Sequence, residues 1–193
     1  MSHSYCPVTN EYNCKCLPKP EGISPLKVDL RSALRKLFTD HAVYTALVMK
    51  SIVDSGKDIS VLLNRLLLNQ KDIGDQLKPI IGNENGDKIT EVLTSHIKLA
   101  GEVIKAAKNL NPNLNDKINI LFNNSDIVAE TLTSLNPEAL PFDLTQNMFH
   151  THNQFVIDMT VGRLAGDYLK EQHLYDAYYN ELLLLADEIF FAL

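Results

Sequence analysis

The chain has 193 residues, 45% apolar and 22% charged, which fits one folded domain with a sizeable core. Its 18 Lys and Arg are outnumbered by 24 Asp and Glu and are spread along the chain, so the clustered cations that phosphate backbones require are missing and no nucleic-acid partner is expected. The opening MSHSYCPVTNEYNCKC has no apolar core segment, so a protein that is not secreted is expected; the longest apolar run, Leu182–Leu193, is short for a membrane span and carries Asp187 and Glu188.

Residues 1–26 differ from everything after them. They hold all three cysteines, Cys6, Cys14 and Cys16, together with Pro7, Pro18, Pro20 and Pro25, and show no apolar period. That composition predicts an extended arm. Three fates for it compete: packing on the bundle or on a second subunit, a disulfide that leaves one cysteine over, or a zinc site on His3, Cys6, Cys14 and Cys16. Structural zinc takes four such ligands, although the spacing here is not the usual C-x2-C pair.

From Lys27 a helical period takes over, and residues 27–193 read as one domain. Leu30, Leu34, Leu37, His41, Tyr44, Val48 and Ile52 alternate steps of three and four, which keeps them on one helix face up to Asp54. Ser55-Gly56-Lys57 ends this helix, with Gly56 suited to a left-handed C′ position. Asp58 can cap a second helix with the seam Ile59, Leu63, Leu66, Gln70, Ile73 and Leu77, stopped by Pro79. Gly82–Gly86 reads as a turn, before a third seam of Ile89, Leu93, His96, Ala100, Val103 and Ala107. A fourth carries Leu114, Ile118, Leu121, Ser125, Val128 and Leu132 and ends before Asn136-Pro137. The fifth, centred on Met148–Asp167, carries Phe149, His152, Val156, Met159 and Arg163. A break at Gly166-Asp167 favours a hairpin between the fifth helix and a sixth over one long kinked helix, with Tyr175, Tyr178, Leu182, Leu185 and Ile189 on the last seam. No stretch alternates as a strand does. The expected fold is all-α: an antiparallel bundle of about six helices behind an N-terminal arm.

Six polar residues fall on apolar seams: His41, Gln70, His96, Ser125, His152 and Arg163. A buried polar group without a partner costs ~1–3 kcal/mol, so some of these positions are expected to join in one network, with water, at the bundle centre or near its ends, and with Asn69, Asn124 and Asp126 among the available second partners. A sharper reading joins His41, His96 and His152 from three helices around zinc or another transition metal. The plainer reading is a structural network with no cofactor. No Glu-x-x-His pair, G-x-S-x-G or H-E-x-x-H is present, and no catalytic constellation can be named. Helix two and the end of helix six are apolar beyond the ~100° stripe a bundle helix needs, which predicts a homodimer.

The segments LRKLFTDHAVYT, LLNQKDIGDQLKPIIG, LTSHIKLAGEVIKAAK and RLAGDYLKEQHLYDAYYNELLLLAD resemble a family of small all-helical proteins of unassigned activity, found in spore-forming bacteria and in giant DNA viruses of the marseillevirus type. The likeness spans residues 30–190. It implies a virion-packaged or host-directed structural or interaction protein, located in the virion or cytoplasm and partnered by host or virion proteins. The competing function is a metal-binding or redox bundle built on the seam histidines.

Overall fold

The structure, a computed structural model, describes residues 25–193, and side-chain surroundings from residue 28 onward. The arm, with His3, Cys6, Cys14 and Cys16, lies outside the described residues. Six helices follow in order: α1 Pro25–Asp54, α2 Ile59–Ile81, α3 Asn83–Lys108, α4 Leu114–Thr133, α5 Phe142–Leu164 and α6 Tyr168–Ala192. Among the described residues there is no strand, and no helix is long and apolar enough to cross a membrane.

The helices form a closed ring. Each packs on the next, and α6 returns to α1. Inside the ring α1, α3 and α5 also touch one another, whereas α2, α4 and α6 do not. The bundle is therefore three antiparallel hairpins, α1–α2, α3–α4 and α5–α6, each with its first helix inward. Leu34, Met49, Ile73, Leu77, Ile89, Met159, Leu182 and Leu185 are buried in one continuous core.

Several boundaries differ from the sequence expectation. The left-handed residue after α1 is Ser55, at φ 61°, and not Gly56. Gly56 is instead held against Ser51, whose carbonyl accepts the Gly56 N–H at 2.8 Å. Asp58 precedes α2 but makes no side-chain cap; its carboxylate accepts the Ser51 hydroxyl at 2.6 Å. Pro79 does not stop α2, which continues to Ile81, because a proline in the last turn forfeits only one backbone hydrogen bond. The whole α2–α3 connection is Gly82, at φ 84°, and residues 83–86 already belong to α3. So tight a connection presses α2 onto α3 where Gly74 meets Gly86, and a Cβ built on Gly74 falls 2.5 Å from the Gly86 carbonyl oxygen. The break expected at Gly166-Asp167 is present: Gly166 has φ 73°, and Asp167 caps α6 by accepting the Lys170 N–H at 3.0 Å.

Ion pairs fasten the inner helices to their neighbours. Asp187 on α6 accepts from Arg31 and Arg35 on α1 at 2.8 and 2.7 Å. Arg163 sits at the α5 C-terminus and joins Asp54 of α1 to the buried Glu171 of α6. A fixed charge at a helix end meets carboxylates there at far smaller desolvation cost than in the core.

Candidate functional site: a three-histidine chamber

His41, His96 and His152 are 5%, 3% and 4% exposed, as their seams require. They come from α1, α3 and α5, the three helices that meet in the middle. The His152 ring centroid lies 5.7 Å from that of His41 and 5.8 Å from that of His96. All three line one small central chamber that offers about 30 Å³ to the centres of water-sized guests, enough for one or two heavy atoms.

The arrangement repeats. Each histidine makes a hydrogen bond at Nδ1 to the outer helix of its own hairpin, at nearly constant sequence distance: His41 with Gln70, 29 residues on, His96 with Asn124, 28 on, and His152 with Glu181, 29 on. One turn before the histidines stand Phe38, Leu93 and Phe149. The outer helices contribute Ile73, Val128 and Leu185, then Leu77, Leu132 and Ile189. Every member of these triads lines the chamber. The three hairpins thus repeat one pattern, and the three histidines sit 55 and 56 residues apart along the chain (41, 96, 152).

Donor and acceptor roles follow from the neighbours. Gln70 Nε2 has two protons and three acceptors in reach, the Leu66 carbonyl at 2.8 Å, Asn69 Oδ1 at 3.2 Å and His41 Nδ1 at 3.2 Å. His96 Nδ1 donates to Asn124 Oδ1 at 3.2 Å, and His152 Nδ1 donates to Glu181 Oε2 at 3.3 Å. Among the described residues no hydrogen bond engages the Nε2 of any of the three rings. Gln70 Oε1, on the chamber wall, and Glu181 Oε1 are buried without a hydrogen-bond partner. Tyr178 is fully buried with its ring 5.0 Å from His152.

Burial dominates the electrostatics. It pushes His41 and His96 down to about 3, with the neighbouring His152 ring adding to the effect in both. Both therefore stay neutral at physiological pH. Burial likewise pushes the Tyr178 phenol up, so it stays protonated.

Of the six polar seam positions, His41, Gln70, His96 and His152 meet at the chamber. Ser125 is buried nearby but accepts from Asn153 at 2.6 Å, and Arg163 is at the bundle end. Asn69 and Asn124 serve as the expected second partners, while Asp126 turns outward to His150 at 2.7 Å. Sequence reasoning placed Tyr178 on its seam but missed Glu181, and the signal was the repeat: Leu66, Leu121 and Tyr178 occupy equivalent places, as do Asn69, Asn124 and Glu181. Among the described residues no group of three or more His, Cys, Asp and Glu side chains stands ready to hold a metal ion. Comparison with known proteins finds no matching family model, no matching curated protein and no matching solved structure.

Proposed function

We propose that the chain is a binding protein and that the central chamber holds its ligand, a single ion or a molecule of one or two heavy atoms. One observation carries this: three buried imidazoles, one per hairpin and each held through Nδ1 by its outer helix, line one shared cavity. A purely structural network is expected to close on itself, since an unpaired buried polar group costs ~1–3 kcal/mol. Here the pairing stops at the chamber wall, and Gln70 Oε1 is an orphan on that wall.

A second reading, self-association, is favoured by Leu184 and Phe191, which lie one heptad apart on α6 and are 61% and 69% exposed. Such a stripe is a candidate contact between two copies. A virion-packaged or host-directed role, and membership of the helical family found in spore-formers and giant viruses, rest on the sequence resemblance alone.

Native mass spectrometry of the untagged chain tests both readings at once. The expected spectrum shows a small mass excess per chain that denaturation removes, and a dimer where self-association operates. A folded chain at its bare sequence mass contradicts the binding reading. A monomer at high micromolar concentration contradicts self-association.

A further inference from the structure

α2 and α6 both pack on α1 but not on each other, so a strip of α1 between them carries no covering helix. At the end of the bundle where α1 begins, this strip is the floor of a groove. Leu30 and Ala33 of α1 form the floor, Pro79 and Ile80 of α2 one wall, and Phe190 and Leu193 of α6 the other. The groove has a volume of about 620 Å³, room for several side chains, and Ile80 is 46% exposed in it. Covering such a recess gains ~25 cal/mol per Å² of apolar surface taken from water.

We propose that the cover is a segment of this same chain, residues 14–20 of the N-terminal arm (Cys-Lys-Cys-Leu-Pro-Lys-Pro), with Leu17 as its anchor. Position favours it over a second copy or a foreign partner. The floor belongs to the opening turns of α1, so the arm that runs into Pro25 is tethered at the groove's mouth. Leu17 stands eight residues before Pro25 in the sequence, a reach of ~26–29 Å for extended chain. Ala33 lies only ~12 Å along the helix from Pro25. Gly22 supplies the residue best able to reverse the backbone between the two. Such a tether holds the segment at an effective concentration of millimolar order, which a second copy at micromolar concentration does not match.

Chemistry agrees with position. Pro18 and Pro20 favour the extended polyproline conformation, which enters an apolar groove with little loss of chain entropy. Past Ala33 and Gln76 the groove continues between α1 and α2, where Asp29, Asp72 and Asp75 outnumber Lys36 among the residues that line it. Lys15 and Lys19 flank Leu17 with the opposite charge.

The chain's three cysteines, Cys6, Cys14 and Cys16, all lie in the arm, so thiol reactivity of the reduced full-length protein reads the arm alone. With Ellman's reagent, each rate normalised to the same thiol in urea, Cys14 and Cys16 should react about tenfold more slowly than Cys6, as a segment docked roughly nine-tenths of the time requires. Leu17→Asp, outside the bundle, and Ile80→Asp, on the half-exposed wall, should each return both thiols to the Cys6 rate with the helical circular dichroism unchanged. Equal rates for all three thiols in the parent overturn the proposal. Protection that survives Leu17→Asp overturns it as well, and protection that survives Ile80→Asp places the segment elsewhere. Protection lost on dilution from high to low micromolar concentration gives the groove to a second copy and overturns the assignment within one chain.

Discussion

Replacing Gly74 by valine is expected to destabilise the bundle by about 3 kcal/mol, near the upper end of the usual overpacking range. The cause is local and steric. The added Cβ arrives 2.5 Å from the Gly86 carbonyl oxygen and closer still to Thr90 Oγ1. Thr90 can rotate, but the carbonyl belongs to the first turn of α3 and cannot move without separating the two helices. The tight Gly82 connection leaves no slack for such a shift. For a chain of this size the expected fall in melting temperature is roughly 6–12 °C. Gly101 supplies the control, since a Cβ there meets nothing within 4 Å. Gly101→Ala should be neutral or stabilising by up to ~1 kcal/mol, because it only removes the helical penalty of glycine. Differential scanning calorimetry of both variants checks the pair, and a Gly74→Val midpoint equal to that of the parent would show that α2 and α3 are not in close contact.

Mild acid is expected to unfold the protein well above the range where carboxylates protonate. His41 and His96 lie at about 3 when folded, against 6.5 for the unfolded chain. Between those values the unfolded state binds the extra protons, so stability falls as pH falls. One pKa unit corresponds to ~1.4 kcal/mol, so two such rings should give a slope of at least ~1.4 kcal/mol per pH unit between pH ~6 and ~4.5. Asp187, Asp75 and Glu102 act in the same direction but later. Their cationic partners hold them below their usual values, so their contribution is lost only as pH falls below the ordinary carboxylate range. His96→Leu removes one of the two titrating rings and should roughly halve the slope. Urea denaturation across the pH series measures it; a flat profile from pH 7 to 4.5 would mean that the rings are solvated.

The parts of this molecule that follow from local rules were legible in the sequence. His41, His96 and His152 sit on their seams at three- and four-residue steps, and a helical period fixes burial without any knowledge of neighbours. The α5–α6 hairpin was legible for the same kind of reason, because Gly166 and Asp167 supply a left-handed turn and a cap. The errors arose where tertiary packing decides. Gly82–Gly86 has the composition of a loop, yet α2 and α3 close so tightly that one residue makes the turn. Glu181 was invisible for another reason. It is off the apolar period of α6, and only the relation between three hairpins, each with a histidine and a partner 28 or 29 residues later, marks it as part of the site.

The central claim is that three hairpins bring three histidines to one chamber made to hold a ligand. Electron density at atomic resolution, from crystals of the untagged chain grown at neutral pH, tests it most directly. The account predicts a discrete peak in the chamber within bonding or hydrogen-bonding distance of the Nε2 atoms of His96 and His152. A collapsed chamber, with the imidazoles hydrogen-bonded directly to one another and no peak between them, would contradict it.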